Sequence, residues 1–249
     1  VTRLAIVLGT YNRLAHLKEA VLSISRAVAS GERFATIGYA TIVVDGGSTD
    51  GSREWLAGQD DVELICQDGP LPGAVVAFNA GFAYAVEHGF DYVANFNDDA
   101  IYQTPGMLSE AVCRLEASTE PVGAIAFQFD LPGRPDGFEY INGLPYGNFG
   151  VTRREAGVAV ARAQGDPTGR AWWNPIYHTY GADSEFGAWL WRLGWTIHTA
   201  PGLCVHDGNV QDDLRKGNEQ SPRRLADGRL FWARWPSKEH ILTLGPTAA

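Results

Sequence analysis

The feature that most constrains this chain is a repeated unit in its first hundred residues: a short unbroken apolar run, a polar turn, then a segment of helical period. Leu4-Ala5-Ile6-Val7-Leu8 is the first run, and it ends at Gly9-Thr10-Tyr11-Asn12-Arg13. Leu14, Leu17, Ala20, Val21, Ile24 and Val28 then recur at the spacing of one helix face. Thr41-Ile42-Val43-Val44 is the second run, ending at Asp45 and a glycine-rich turn, Gly46 to Ser52, that leads into a short helix with Trp55 and Leu56. Val62-Glu63-Leu64-Ile65 is the third. After Gly69-Pro70-Leu71-Pro72-Gly73 a helix is predicted from Ala74 to Glu87, ending near Gly89. Val93 to Phe96 is the fourth run, and it ends at Asn97-Asp98-Asp99. Runs without polar alternation belong to strands covered on both faces, which requires helices on both sides of a parallel sheet. The fold class predicted is α/β, a Rossmann-like α/β/α sandwich with a mostly parallel central sheet.

The fourth strand end carries the most chemical information. Two adjacent carboxylates at the end of a buried strand are costly unless water, a cation or hydrogen bonds meet them. Ligands in open α/β sheets bind at the carboxyl ends of the strands. Oxygen ligands there suit a hard divalent cation that also holds phosphate oxygens, although Asn-Asp-Asp is also good turn chemistry. Neither G-x-G-x-x-G after the first strand nor G-x-x-x-x-G-K-[ST] occurs, which disfavours a dinucleotide fold and a P-loop NTPase.

The chain of 249 residues has a net charge of −9, which argues against nucleic acid as the main partner. Cys66, Cys113 and Cys204 are odd in number and widely spaced, so no disulfide framework or zinc spacing is present. No secretory leader and no apolar run of about twenty residues is found. These features predict a protein without a membrane span in the cytoplasm.

The second half is less regular. Met107 to Leu115 predicts a helix and Val122 to Phe129 a strand. Residues 130–150 read as a hairpin or long loop, and Arg153 to Ala163 as a helix. An aromatic stretch from Trp172 to Tyr180 leads into Gly181-Ala182-Asp183-Ser184-Glu185 and a helix stopped by Gly194. A strand near Trp195–Ala200 and the segment Leu203 to Gly208 follow. No linker composition divides the chain, so a single domain over 1–249 is expected: a nucleotide-binding half (1–100), a second half (101–208), and a polar tail or lid (209–249).

Together these segments resemble the family 2 glycosyltransferases of the GT-A fold. Thr10-Tyr11-Asn12-Arg13 is similar to T-[YF]-N-R, and Val43 to Ser52 to V-V-D-[NDG]-[GS]-S-x-D-G-[ST]. Gly73 with Asn79-Ala80-Gly81 is similar to a G-x(n)-N-x-G segment. Asn97-Asp98-Asp99 stands where the family has D-x-D or N-x-D. Gly181 to Glu185 with Gly194-Trp195 resembles G-E-D-x-[DE] then G-[WY], and Val205-His206-Asp207-Gly208 a late V-x-H-x-x-G. Asn97 departs from the first Asp of D-x-D, and Ala182 from the Glu before the catalytic Asp.

The resemblance implies an inverting enzyme that moves a sugar from a UDP- or dTDP-sugar to a glycan or other hydroxyl-bearing acceptor. It implies a nucleotide pocket from Thr10, Tyr11 and Arg13. Asp45 would accept the imide hydrogen of a pyrimidine base or cap its own turn. Gly73 would allow close approach of the donor. Asn79 would hold the donor or stand as a helix-surface amide, and Asn97 and Asp98 would bind the donor. Asp99 and His206 would hold Mn2+ or Mg2+. Asp183 would be the general base or a helix cap, with Glu185 as the fallback base. Trp172, Trp173 and Tyr180 would form the acceptor wall, with core packing accounting for some of these rings. The rivals are a sugar-phosphate nucleotidyltransferase and a non-catalytic nucleotide-sugar or carbohydrate-binding protein.

Overall fold

The computed structural model describes residues 1–28, 37–67, 73–130, 137–208 and 210–243. The turn expected at Gly69 to Pro72, residues 131–136 of the expected loop region, and residues 244–249 lie outside them.

The repeated unit of the first hundred residues forms β1 (Thr2–Thr10), α1 (Leu14–Val28), β2 (Ile37–Asp45), α2 (Ser52–Ala57), β3 (Val62–Cys66), α3 (Ala74–Glu87) and β4 (Tyr92–Asn97). β1 pairs in parallel with both β2 and β4, and β2 with β3. The chain continues through β5 (Ala100–Tyr102), α4 (Met107–Ala117), β6 (Val122–Asp130), β7 (Glu139–Ile141), β8 (Leu144–Tyr146), β9 (Gly150–Arg153), α5 (Arg154–Ala163), α6 (Ala182–Arg192) and β10 (Thr196–Asp207). The main sheet has eight strands in the order β3-β2-β1-β4-β9-β6-β10-β5, and β7 and β8 form a separate hairpin. β9 runs antiparallel between β4 and β6, and β5 antiparallel on β10. The mostly parallel α/β/α sandwich is the architecture expected. The strand and the late segment predicted apart around Pro201-Gly202 are one strand, β10, with a register shift between Ala200 and Cys204 that absorbs the interruption as a bulge.

Alternation along β1 divides the core. Leu4, Ile6 and Leu8 pack with α1 and α4 on one face of the sheet. Ala5 and Val7 pack with α3 on the other, joined by residues of α5 and α6. Gly81 of α3 lies so close to Val7 that a Cβ would overlap that side chain, so its family-like position serves helix–sheet packing.

Within residues 209–249, expected as a tail or lid, the chain forms three helices: α7 (Asp213–Gln220), α8 (Pro222–Arg234) and α9 (Lys238–Thr243). Their composition is polar, but Phe231, Trp235 and Ile241 are buried in the core on the α6 side of the sheet. These few apolar anchors hold a segment of otherwise polar composition against the core. Among the described residues no helix is long and apolar enough to cross a membrane.

Candidate active site

The turns at the carboxyl ends of β1, β2 and β4 are tied to one another. Asn12 has a positive φ of 52°, and its side-chain oxygen accepts the Thr49 N–H at 2.7 Å while its own N–H donates to Ser48 Oγ at 2.9 Å. Asp50 accepts the Leu14 N–H at 2.8 Å and so satisfies the start of α1. Asp45 is fully buried, and it accepts the N–H groups of Gly47 and Ser48 and, at 2.9 Å, Arg53 Nε. Its oxygens are therefore spent on its own turn. Asp45 thus caps its own turn, one of the two roles expected of it, and it is not among the side chains that line the neighbouring cavity.

That cavity, of about 300 Å³, runs along the strand ends and is bounded by Thr10, Tyr11, Arg13, Gly46, Gln67, Gly73, Asn97, Asp98, Asp99, Asn148, Trp173, Tyr180, Asp183, Asp207 and Arg215, among others. A larger cavity, of about 440 Å³, lies at the opposite end of the strands, beside Thr2 and Tyr92, away from these acids.

At the end of β4 the charges form one network. Thr10 Oγ1 donates to Asp98 Oδ2 at 2.9 Å. Arg13 Nη1 reaches Asp98 Oδ1 at 2.9 Å and Asp99 Oδ2 at 3.3 Å. The rest of the Arg13 guanidinium grips Asp212, before α7, at 2.7 and 3.0 Å. Arg215 of α7 reaches Asp99 Oδ2 at 2.9 Å. Burial alone would lower the pKa of Arg13, but its bonds to Asp212 and the charges of Asp98 and Asp99 hold it above the usual value. Burial pushes Asp98 up to about 6; Arg13 opposes this and the neighbouring Asp99 adds to it. Arg215 and Asp212 come from the segment expected as a tail or lid. No sequence signal marked them beyond the local excess of charge.

His206 does not join this network. Along β10 neighbouring side chains face opposite ways; Asp207 lines the cavity, while His206 is 44% exposed with Nδ1 3.6 Å from Asp130 Oδ2. The expectation of His206 as a metal ligand beside Asp99 is thus not met, and Asp207, one residue on, is the side chain that period-2 alternation turns inward. Among the described residues no group of three or more His, Cys, Asp or Glu is arranged to hold a metal. The oxygen donors Asn97, Asp98, Asp99 and Asp207 nevertheless share the cavity wall, and two guanidiniums there face three carboxylates. This donor set fits a hard cation that arrives with phosphate oxygens and takes only one or two protein ligands.

The opposite wall comes from the aromatic stretch and α6. Asp183 stands in the first turn of α6 and lines the cavity, and burial raises its pKa above the ordinary carboxylate value. Glu185, two residues further along the helix, is fully buried. Its Oε1 accepts from Asn174, Trp189 and Arg234, and its Oε2 from Tyr177, Arg234 and Trp235, at 2.6 to 3.4 Å. Glu185 is not available as a base, because every lone pair is taken inside the fold.

Trp172 is 1% exposed, stacked between Phe82 at 5.0 Å and Phe186 at 5.9 Å between ring centroids. It is a core residue, and its expected place on the acceptor wall is corrected on that ground. Trp173 lines the cavity with its ring 4.4 Å from Phe78. Asn79 does not face the cavity: its amide grips the backbone of Trp173, donating to the carbonyl at 2.7 Å and accepting the N–H at 3.0 Å. Its expected donor contact is replaced by this clamp. Tyr180 lines the cavity, and the N–H groups of His178, Thr179 and Tyr180 converge on the buried Asp227 of α8 at 3.0 to 3.3 Å. Gly73, with φ 96°, lies against His178; a Cβ there would come within 2.8 Å of the His178 carbonyl oxygen.

The model of the family described as Glycosyl transferase family 2 matches residues 5–134. No curated protein sequence matches the chain. The fold is similar to that of the mannosyltransferase PcManGT from Pyrobaculum calidifontis in complex with GDP-Man and Mn2+. The TM-score is 0.66 and the identity 18%, over 97% of this chain and 67% of that one. It is also similar to S. aureus TarS 1-349 in complex with UDP-GlcNAc, with TM-score 0.62 and 13% identity over 93% of this chain and 66% of that one. Against S. aureus TarS the TM-score is 0.60 and the identity 11%, over 86% of this chain and 38% of that one. This chain thus spans about two thirds of the length of the first two, and less of the third.

Proposed function

The chain belongs to glycosyl transferase family 2, and on that premise we propose that it transfers a sugar from a UDP- or dTDP-sugar to an acceptor hydroxyl with inversion at the anomeric carbon. The observation that carries this reading is one cavity with an acid–arginine network at the end of β4 on one wall and a desolvated carboxylate, Asp183, on the other. The nucleotide-sugar complexes of the fold neighbours support the donor class.

In this reading Arg13 and Arg215 meet the diphosphate oxygens of the donor, as planar guanidiniums do. Thr10 holds Asp98 in place at 2.9 Å. A divalent cation, Mn2+ or Mg2+, supplies Lewis-acid relief of the charge on the leaving diphosphate when bound, and Asp99 with Asp207 would hold it. Trp173 and Tyr180 offer ring faces to the acceptor, whose hydroxyl oxygen attacks the anomeric carbon as the bond to the diphosphate breaks. Asp183 takes the hydroxyl proton. Its raised pKa improves it as a proton acceptor, and its place in the first turn of α6 keeps the ionised form favourable.

The test is release of nucleoside diphosphate from UDP-, dTDP- and GDP-sugars, with and without a panel of hydroxyl acceptors, in Mn2+ or in EDTA. Release from a UDP- or dTDP-sugar should be lost in EDTA. In Asp99→Asn it should fall roughly 10²–10³-fold, the scale of losing one stabiliser of developing charge. Tight donor binding with no turnover on any acceptor would favour a binding protein. Turnover indifferent to EDTA would remove the metal from the reaction.

A further inference from the structure

We propose that Asp227, assisted by Arg224, is a positioning residue for the acceptor: from α8 it fixes where Tyr180 stands in the cavity wall and so sets how tightly the acceptor is held. The inference rests on the sugar-transfer reading above and adds a residue that lies outside the cavity lining.

Asp227 is the only acid in α8, and it sits in the middle of that helix. An aspartate there is intrinsically unfavourable, because its short side chain competes with the helix backbone. Its presence calls for a tertiary partner, and the partner is a run of backbone. Asp227 is 5% exposed, and the N–H groups of His178, Thr179 and Tyr180 converge on its carboxylate at 3.0 to 3.3 Å. Successive N–H groups turned inward make a concavity for an anion, and an ionised oxygen holds them more strongly than a neutral one.

What these bonds hold is a stretch of cavity wall. His178, Thr179 and Tyr180 line the cavity and belong to no helix or strand. Tyr177, just before them, is fixed through its hydroxyl, which donates to Glu185 at 2.6 Å. α8 adds two side-chain contacts to the same stretch. Arg223 Nη1 lies 2.7 Å from His178 Nε2, and the Arg224 guanidinium lies 5.4 Å from the centre of the Tyr180 ring. On another side stands Gly73, where a Cβ would come within 2.8 Å of the His178 carbonyl oxygen. The stretch is thus held between α8 and the start of α3, and Asp227 supplies the bonds to its backbone. The place of the Tyr180 ring follows from those bonds, since the stretch has no regular structure of its own to set it.

Asp183 is placed differently. α6, which carries it, is anchored through Glu185, whose carboxylate accepts from Arg234 and Trp235 at 2.8 to 2.9 Å. Those bonds do not pass through Asp227. Loosening residues 178–180 should therefore weaken the hold on the acceptor and leave donor binding and proton removal close to wild type. That is an effect on KM rather than on kcat.

The experiment is steady-state kinetics in Mn2+, with UDP-glucose, UDP-N-acetylglucosamine and dTDP-rhamnose as donors. The acceptor probes are the p-nitrophenyl glycosides of glucose, mannose and N-acetylglucosamine. The chains compared are the wild type, Tyr180→Ala, and Asp227→Asn and Arg224→Ala each alone and in the Tyr180→Ala background, with melting temperatures alongside. Asp227→Asn keeps the volume of the side chain, but an amide offers one oxygen and turns an NH2 toward N–H groups that need acceptors. Tyr180→Ala should raise the acceptor KM about fivefold or more, as loss of one ring contact does. Asp227→Asn should raise it by a similar factor with kcat and donor KM near wild type, and should add little once Tyr180 is gone, because both changes act through one ring. Arg224→Ala alters an exposed side chain and should raise the acceptor KM about twofold to fivefold, again only while Tyr180 is present. A lowered melting temperature with unchanged acceptor KM in Asp227→Asn, or effects that multiply in the Tyr180→Ala background, overturns the positioning role and leaves the transfer reading standing. If Asp227→Asn does not fold, Arg224→Ala decides: a wild-type acceptor KM overturns the proposal, and a rise that vanishes with Tyr180 supports it. A wild type that binds these donors and transfers to none of the glycosides overturns the acceptor wall, and the proposal with it.

Discussion

At the end of β4, Arg13 and Arg215 face Asp98, Asp99 and Asp212, all against one open cavity. On α6, the single carboxylate of Glu185 is surrounded by three donors on each oxygen, and none of its surface is exposed. Both centres bring acids and arginines together, and their proton affinities move in opposite directions. Burial raises Asp98 to about 6, because one guanidinium is shared among several acids. Burial acts on Glu185 too, but the bonds from Arg234, Tyr177, Trp235 and Asn174 outweigh it and hold its pKa below the usual value. The first centre has negative charge in excess and accepts a ligand cation or exchanges partners. The second is complete and holds α6, α8 and the aromatic stretch together. Proximity of acid to arginine says little about role; the ratio of donors to carboxylates, and whether solvent reaches them, says much more.

The largest effect that sharpens this contrast lies on α6 itself, where two acids two residues apart have opposite surroundings. Asp183→Asn keeps the shape of the side chain in the first turn and loses its basicity. We expect kcat to fall roughly 10²–10⁴-fold with donor affinity and melting temperature near wild type. In the wild type, the acid limb of the pH–rate profile should lie above the ordinary aspartate value, as burial of Asp183 requires. A variant that turns over near the wild-type rate would remove Asp183 from proton transfer.

Next in size is Glu185→Gln. It leaves the Arg234 guanidinium, 37% exposed, without its carboxylate. Breaking a buried pair costs about 3–5 kcal/mol, and the partial exposure of Arg234 reduces this to about 2–4 kcal/mol. Urea unfolding measures it. Loss of turnover in a variant of wild-type stability would mean that this centre is catalytic after all.

The smallest effect is a pair of opposite pH slopes. The folded chain holds a proton on Asp98 to higher pH than the unfolded chain does. Its contribution to stability is therefore fully present below about 3.8 and is lost as pH rises toward about 6. Glu185, with its folded value depressed, contributes above the usual glutamate value of 4.5 and loses that contribution as pH falls. Between pH 4 and 6 the stability of the wild type relative to Asp98→Asn should decline, on the order of 1–3 kcal/mol. Relative to Glu185→Gln it should rise. Parallel slopes in the two comparisons would erase the distinction between the centres.

Much of the first hundred residues was legible because burial there is written in local pattern. β1 needed only an unbroken apolar run, β2, β3 and β4 only mostly apolar ones, and α1 and α3 only helical spacing, for strand ends and turns to line up at one edge. Thr10, Tyr11, Arg13, Gly73, Asn97, Asp98 and Asp99 lie on the cavity for that reason. Legibility failed where a polar residue had two uses that pattern does not separate. Asp45 and Asn79 are polar groups at expected positions, yet one holds its own turn and the other clamps the Trp173 backbone. Trp172 and Trp173 are adjacent in the chain and differ in surroundings, since one ring is stacked in the core and the other lines the cavity.

By itself the sequence determined the alternation, the covering of the sheet on both faces and the placing of Asn97-Asp98-Asp99 at a strand end, because these follow from period and local burial over a few residues. Only the tertiary structure decided which acids face the cavity and which are closed. Those choices rest on contacts far apart in the chain: Asp212 and Arg215 returning to Arg13 and Asp99, and Arg234 returning to Glu185. A side chain's hydrogen-bond partners, and hence its charge state and its freedom to bind, are properties of the whole fold that no local spacing encodes.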